Sequence, residues 1–319
     1  MNKSFFSPTP ASVAVEIARH RVSAAAISPR ESRLAVTAHA LESLPPGAVV
    51  PALNATNISD PKAVSDALRR VFERMDMKAK RVALAVPDGV AKVSLLRFEH
   101  VPERTHELDE LIRWQVRKAA PFRVEDAQIT YVPGLKAADG ATEFVVVIAR
   151  KDIVREYEAV CERAGAHAGV VDLATFNVIN SVLASSQAPS EDWLLVHVTH
   201  EDATMAILRG QHVVFFRSRA GDGEAGLADM VHQTAMYYED RLSGAGFRRV
   251  VLAGAGSPAT HVGQDADYLR HALEQRLGIR VDSVDPRSAA TLTDRITANP
   301  ALLDALAPLV GLLARERAA

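Results

Sequence analysis

Residues 13–27 of the sequence, VAVEIARHRVSAAAI, contain two short apolar runs separated by a polar turn. This pattern predicts a strand, a tight turn and a second strand. Turns of this kind often bind phosphate, because a glycine lets backbone N–H groups approach an oxyanion closely. The turn here has no glycine: Glu16 enters it, Ala18 follows, and Arg19 and His20 are the basic residues at its tip. These residues leave open whether the turn holds a nucleotide or only has the shape of one that would.

A second strand-turn-strand pattern occurs in the other half of the chain, and its turn, around His197 and Thr199, also lacks a glycine. His197 and His200 have i, i+3 spacing, with Glu201 and Asp202 beside them. That spacing pairs two side chains on a helix, whereas this stretch has the pattern of a strand and a turn, so no metal site is predicted. No Ser-His-Asp order or Cys–His pairing stands out, and nucleophilic catalysis is not predicted either.

A glycine-rich segment, VVLAGAGSPA at residues 250–259, follows the pattern G-x-G-x-x-A. In a dinucleotide-binding domain, Asp282 or Asp285 at the end of the next strand would bind the ribose. That fold needs a further half-domain, and too little chain follows the strand to build one. Two other interpretations remain open: Gly254 and Gly256 form the adenine side of a different nucleotide site, or they form a plain strand-to-helix turn.

The composition of the 319-residue chain is that of an ordinary globular protein, and its formal net charge is −2. This charge argues against a general nucleic-acid binder, which needs a basic surface. Cys161 is the single cysteine, so an intramolecular disulfide and a four-thiolate metal site are excluded. Its helical surroundings favour a buried structural thiol over a nucleophile. No apolar run reaches 18 residues, so we expect a cytoplasmic protein, held at a membrane only through a partner.

The order of predicted elements indicates an α/β protein with two lobes. Residues 11–90 read as β-β-α-β, and residues 91–150 read as a strand-helix-strand-strand module inserted into the first lobe. The α/β pattern resumes at residues 151–186. The polar segment QAPSED then marks the start of a second lobe at residues 187–319, which opens with another hairpin. The two hairpins indicate a weak internal duplication of architecture.

The stretch IRWQVRKAAPFRVEDAQITYV at residues 112–132 is the most specific motif of the chain, and supporting segments include VALAVPDG, RRVVLAGAGS and GIRVDSVDP. By these segments and their order, the chain resembles the PilM family, the cytoplasmic actin-like component of type IV pilus assembly. This resemblance implies a two-lobe actin-like (ribonuclease-H-like) fold with an SHS2-like inserted module. It also implies a scaffold that binds the cytoplasmic N-terminal segment of PilN, a membrane-anchored pilus component, together with other proteins of the pilus or secretion platform.

The sequence departs from the actin-like pattern at both turns. Actin-like ATPases use an Asp-x-Gly turn in each lobe, in which the carboxylate organises Mg²⁺ and the glycine exposes backbone N–H groups to the phosphates. The small subdomain that usually walls the adenosine pocket is also missing from the second lobe. We therefore expect a vestigial nucleotide site, no cofactor and no ATPase activity. The positions that the resemblance assigns to this vestigial site are Glu16, Ala18, Arg19, His197, Thr199, Gly254 and Gly256.

Two alternatives stay open beside the scaffold. The first is a divergent ATPase that binds Mg-ATP and uses Glu16 with Glu201 or Asp202 in unusual roles. The second is an adaptor similar to the cytoplasmic part of the type II secretion L component. That component is normally continuous with a transmembrane segment, for which this sequence has no candidate.

The predicted helix after residue 104 is the best candidate for partner binding. Its apolar stripe faces the module's own sheet, and Trp114 lies off that stripe. Tryptophan and arginine are favoured anchors of protein interfaces. The sequence therefore predicts a partner-binding surface formed by Arg113, Trp114, Arg117 and Phe122. The competing interpretation is that Trp114 packs against the rest of the first lobe.

Overall fold

The computed structural model describes residues 10–30, 33–137, 139–185, 188–199, 202–220, 223–256, 266–294 and 296–318. In chain order, the strands of this described part are β1 (Val13–Ile17), β2 (Arg21–Arg30), β3 (Arg33–Ser43), β4 (Arg81–Val86), β5 (Ala91–Phe98), β6 (Ala127–Lys136), β7 (Thr142–Arg150), β8 (His167–Leu173), β9 (Asp192–Val198), β10 (Asp202–Arg209), β11 (His212–Ala220), β12 (Arg249–Ala253), β13 (Val281–Ser283) and β14 (Ala290–Leu292). The α-helices are α1 (Pro61–Arg74), α2 (Thr105–Val116), α3 (Lys151–Arg163), α4 (Ala174–Leu183), α5 (Gly223–Leu242), α6 (Ala266–Leu277) and α7 (Pro300–Ala318). None of these helices combines the length and hydropathy needed to cross a bilayer.

The first lobe is built on a six-stranded sheet with the order β14-β3-β2-β1-β4-β8. β1 and β2 are antiparallel and joined by the tight turn, as the sequence predicts, and β1 is parallel to β4. Alternate residues of β1 face opposite sides of the sheet. Val13 and Val15 pack toward α1 and α3, whereas Ala14 packs toward α7. Helices therefore cover both faces, and the central strands are apolar on both sides.

The helices on one face of this sheet follow directly from sequence signals. The Asp60 carboxylate accepts a hydrogen bond from the backbone N–H of Ala63, and Pro61 occupies the first helical position of α1. On α3, Cys161 has no exposed surface, and burial raises the pKa of its thiol to about 12. The prediction that Cys161 is a buried structural thiol is confirmed.

The second lobe repeats the core of the first. Its sheet has the order β11-β10-β9-β12-β13, with β9, β10 and β11 antiparallel and β9, β12 and β13 parallel. The first sheet has the same arrangement in β3-β2-β1-β4-β8. β11 ends at Ala220 and α5 begins at Gly223, so no subdomain separates them. The predicted duplication and the predicted shortening of this lobe are both confirmed.

The inserted module has the predicted strand-helix-strand-strand order. Its three antiparallel strands are arranged β5-β7-β6, and α2 packs on one face. Phe144, Val146 and Ile148 of β7 form the module core with α2. Because side chains alternate along a strand, Val145 and Val147 face the opposite side, toward the two lobes.

The C-terminal elements β14 and α7 lie on the first sheet, although they fall within the predicted second lobe at residues 187–319. β14 pairs in parallel with β3. α7 packs against β1, β2 and β4 on one side and against α4 on the other. At Gly311 a Cβ atom would lie 1.7 Å from the carbonyl oxygen of Asn177, so the approach to α4 requires glycine. The apolar pattern of α7 predicts burial, but it does not distinguish one sheet from the other.

Candidate functional site

The two predicted turns meet in a cavity between the lobes. β1 and β9 are interior strands that occupy corresponding positions in the two sheets, and the turns that follow their C-terminal ends both line the cavity. Six of the seven predicted nucleotide positions line this interlobe cavity: Glu16, Ala18, Arg19, His197, Thr199 and Gly254. Residues of the turn after β4, of α4 and of α7 complete the lining of this cavity. Its volume is about 80 Å³. Pockets for drug-sized ligands measure roughly 300–1,000 Å³, so this cavity is small by comparison.

Glu16 is engaged by its own strand neighbours. The side chain is buried, and its Oε2 accepts hydrogen bonds from Arg21 Nη2 and Ser23 Oγ, both at 3.2 Å. Ser23 is the residue directly opposite Glu16 in the β1–β2 ladder. The backbone N–H of Ala18, which a phosphate-binding turn would present to its ligand, donates instead to the carbonyl of Arg21 at 2.9 Å. The first turn is therefore closed by bonds within the hairpin.

Asp88, which follows β4, links three elements around the cavity. Its carboxylate accepts hydrogen bonds from the backbone N–H and the hydroxyl of Thr175, at the start of α4, and from Thr204 Oγ1 of β10 at 2.7 Å. His197 Nδ1 lies 2.6 Å from Thr175 Oγ1. Because Thr175 has one hydroxyl hydrogen and donates it to Asp88, His197 donates from Nδ1. Asp88 thus joins the first lobe to the second.

Asp304 of α7 makes a second link between the lobes. Its two carboxylate oxygens accept hydrogen bonds from the backbone N–H groups of Gly254 at 2.8 Å and Gly256 at 2.5 Å. Gly254 has φ +84°, and a Cβ there would lie 1.9 Å from the carbonyl oxygen of Val198, so only glycine fits. Burial raises the pKa of Asp304, and the two N–H donors oppose that rise. The glycine turn therefore binds a carboxylate of its own chain.

We call the Asp88 and Asp304 contacts the interlobe clamps. Sequence reasoning did not find either carboxylate. Asp88 reads as an ordinary turn residue in VALAVPDG, and Asp304 reads as a polar position in a helix assigned to the other lobe. Of the carboxylates considered for a divergent ATPase, Asp202 lines the cavity and Glu201 lies outside the described residues. His200, considered with His197 as a metal ligand, also lies outside the described residues. Within the described ranges, no group of three His, Cys, Asp or Glu side chains is placed to hold a metal ion.

A second cavity, of about 390 Å³, lies between the inserted module and the two lobes, and we call it the module groove. One wall is β6 and the other is β8 with α4, and both strands are at the edges of their sheets. Phe176 and Ile179 of α4 form an apolar floor. Arg315 of α7 pairs with Asp172 at one end. Burial raises the pKa of Asp172, and the Arg315 charge acts against this rise.

Of the predicted partner-binding residues, Arg113 and Trp114 lie on the outer face of α2, across the module sheet from the groove, and Arg117 follows at the end of this helix. Trp114 is 58% exposed, so the interpretation that it packs against the rest of the first lobe is wrong. Arg113 is exposed, and Arg117 Nη2 lies 3.7 Å from Glu125 Oε1. Phe122 is half-buried against the module core and does not share the exposed face of Trp114. The four residues therefore form no single groove.

Comparisons with known proteins agree on the family and the fold. The family model described as "Type IV pilus assembly protein PilM" matches residues 14–245. Among solved structures, a "PilM-PilN type IV pilus biogenesis complex" superposes with a TM-score of 0.80 at 17% identity, over 97% of this chain and 99% of that one. The ethanolamine utilization protein EutJ from Carboxydothermus hydrogenoformans gives a TM-score of 0.50 at 10% identity, over 97% and 90% of the two chains.

The cytoplasmic domain of EpsL, an inner membrane component of the type II secretion system of Vibrio cholerae, gives a TM-score of 0.47 at 11% identity, over 83% of this chain and 93% of that one. The family model covers well over half of the sequence, and the superposition on the PilM-PilN structure spans almost the whole chain, so the predicted two-lobe actin-like fold is confirmed. The chain belongs to the PilM family of type IV pilus assembly proteins.

Proposed function

We propose that this protein is a scaffold of the inner-membrane pilus assembly that binds the cytoplasmic N-terminal segment of a PilN-like, membrane-anchored partner and does not hydrolyse ATP. In this proposal the protein is cytoplasmic and peripheral to the inner membrane, and its partner and other platform proteins hold it there. The observation that carries the proposal is a difference between two cavities. The interlobe cavity is small and its polar groups are bonded within the protein, whereas the module groove is larger and open to a peptide.

The geometry of the interlobe cavity supports the absence of ATPase activity. Phosphate binding at a turn requires free backbone N–H groups and an unengaged carboxylate for Mg²⁺. Here the N–H of Ala18 donates within its own hairpin, the N–H groups of Gly254 and Gly256 donate to Asp304, and Glu16 is paired. The groups that would hold Mg-ATP are thus engaged by the protein itself.

The module groove supports binding of an extended partner segment. An edge strand presents unpaired backbone N–H and C=O groups, which an added strand can satisfy, while side chains enter the apolar floor. β6 is an edge strand whose residues 130–134 line the groove, although Pro133 has no N–H to donate, and Phe176 and Ile179 form the floor. Val132 is 57% exposed on this edge, an apolar side chain that a docked segment would cover. The similarity to a PilM-PilN complex favours a PilN-like protein as the occupant.

Binding of a synthetic peptide tests the proposal. The peptide is the N-terminal segment of a PilN-like protein encoded by an adjacent gene. Val132→Glu places a charge at the groove without removing a core side chain. We expect it to weaken the Kd at least thirtyfold, because loss of a hot spot costs about 2 kcal/mol or more. Trp114→Ala with Arg117→Ala is the matched control on the other face of the module, and it tests the surface predicted from sequence.

The outcomes separate the two faces. Loss of binding in the Val132 variant alone places the peptide in the groove. Loss in the double variant alone moves the partner site to α2. Retained binding in both variants, with a folded protein by circular dichroism, contradicts binding through the inserted module.

One observation favours the ATPase alternative. Six positions assigned to a nucleotide site still converge on one cavity, with Asp202 among its lining residues. A divergent ATPase would need the interlobe clamps to open before Mg-ATP entered. Direct titration with Mg-ATP distinguishes this alternative from the scaffold.

A further inference from the structure

The outer face of α2 ends in a single protruding indole. Trp114 is 58% exposed, and Lys118 Nζ lies 5.6 Å from the centroid of its ring, within cation–π range. Neither the interlobe cavity nor the module groove reaches Trp114.

Basic residues lie near this indole and in the segment that follows α2. Lys92 Nζ donates to the carbonyl of Ala119 at 2.6 Å, just beyond the C-terminal end of α2, and Lys151 Nζ donates to the carbonyl of Glu125 at 2.9 Å in the turn that comes next. We call the resulting patch the α2 basic surface: its cations are Lys92, Arg113, Arg117, Lys118, Arg123 and Lys151, and its carboxylates are Glu125 and Asp126.

The two ends of α2 differ in charge. The first half of the helix carries Glu107, Asp109 and Glu110, whereas Arg113 lies in its last turn and Arg117 and Lys118 directly follow it. Contact with an anionic surface would therefore be made by the C-terminal end of the helix, with the acidic end tilted away. Trp114 lies at this basic end.

We propose that the α2 basic surface rests directly on an anionic lipid bilayer. Lysine and arginine near a membrane are attracted by anionic headgroups, and the attraction fades within a Debye length. Tryptophan prefers the headgroup region, because its ring is apolar and its N–H is polar. An exposed indole that lies outside both cavities, with Arg113, Arg117 and Lys118 beside it in the chain, fits an anionic bilayer better than a peptide, which needs a groove. This inference does not depend on the partner segment or on the module groove.

Vesicle co-sedimentation of the full chain tests the proposal. The probes are vesicles of phosphatidylcholine alone and vesicles of equal parts phosphatidylcholine and phosphatidylglycerol. We expect binding to the anionic vesicles to exceed binding to the neutral ones by about tenfold or more, and to fall as salt is raised. The chain has two tryptophans, and Trp193 is fully buried. A shift of tryptophan emission to shorter wavelength on binding therefore reports on Trp114.

Two variants and a matched control locate the contact. Arg113→Glu with Lys118→Glu should lower binding about tenfold or more, whereas Arg276→Glu with Arg280→Glu, the same charge change on the second lobe, should lower it less than about twofold. Trp114→Ala keeps every cation and should remove the emission shift. Equal binding to both vesicles, binding without the shift, no binding, or equal loss in both charge variants would overturn the proposal. Circular dichroism establishes that each variant is folded.

Discussion

Asp304 Oδ1 accepts a hydrogen bond from the backbone N–H of Gly254 at 2.8 Å, so a carboxylate of α7 occupies the turn that a nucleotide would need. The second oxygen of Asp304 binds Gly256 in the same way. α7 packs on the first sheet, and the glycine turn belongs to the second. The contact therefore joins the lobes without a ligand, which is what the scaffold proposal requires.

Replacement of Asp304 should destabilise the protein. In Asp304→Ala the N–H groups of Gly254 and Gly256 lose their acceptor, and a buried unsatisfied group costs about 1–3 kcal/mol. We expect the free energy of unfolding, measured by urea titration, to fall by about 2 kcal/mol or more. Asp229→Ala, a surface carboxylate, is the control and should change it by less than about 0.5 kcal/mol. An unchanged stability in the Asp304 variant would mean that the contact does not hold the lobes together.

Loss of the Thr204 hydroxyl should loosen the other clamp. Thr204→Val keeps the shape of the side chain and removes the donor to Asp88, leaving the half-buried carboxylate one partner short. We expect faster hydrogen exchange in β10 and at the start of α4, since both depend on this contact. The control Thr37→Val, at an exposed position of β3, should leave hydrogen exchange in β10 and α4 unchanged. Identical exchange in the wild type and the Thr204 variant would refute a role for Asp88 between the lobes.

His39 should make the first lobe sensitive to acid. Burial, and next the Arg21 charge, lower the pKa of His39 from 6.5 to about 4, while the Glu16 charge opposes this. The folded state thus binds the proton less readily than the unfolded state. The resulting stability is fully present above about pH 6.5 and is lost as the pH falls toward 4. Between these values the wild type should lose more unfolding free energy than His39→Gln, with an upper limit of about 3 kcal/mol.

Urea titrations at several pH values measure this difference. The carboxylates titrate in both proteins and cancel in the comparison. Parallel stability curves for the wild type and His39→Gln would show that His39 does not titrate with a lowered pKa.

Local patterns predicted the elements that have local causes. The hairpin at Glu16, the capped start of α1 at Asp60 and the apolar stripe of α2 each depend on residues within one or two turns of chain. The family resemblance added the lobe architecture, which the repeated strand order confirms. The convergence of the two turns on one cavity follows from that architecture.

The contacts that close the cavity could not be predicted in this way. Asp88 and Thr204 are far apart in the sequence, and their meeting depends on how the lobes are placed. Asp304 depends on α7 crossing to the first sheet, and the uniformly apolar pattern of α7 is compatible with either sheet. The module groove is formed by strand edges, and the sequence does not show which strands are at the edge of a sheet.

Calorimetric titration of the purified protein with Mg-ATP tests the central claim most directly. A misplacement of about 1 Å at a reactive site can cost on the order of a hundredfold in rate, and here Glu16 replaces a shorter aspartate and Ala18 replaces a glycine. We predict no binding heat at sub-millimolar nucleotide. Gly254→Val is unsuitable as a control, because the Cβ would overlap the Val198 carbonyl oxygen; Glu16→Gln preserves the shape of the cavity instead. Micromolar affinity for Mg-ATP that is lost in Glu16→Gln would contradict the account and favour the ATPase.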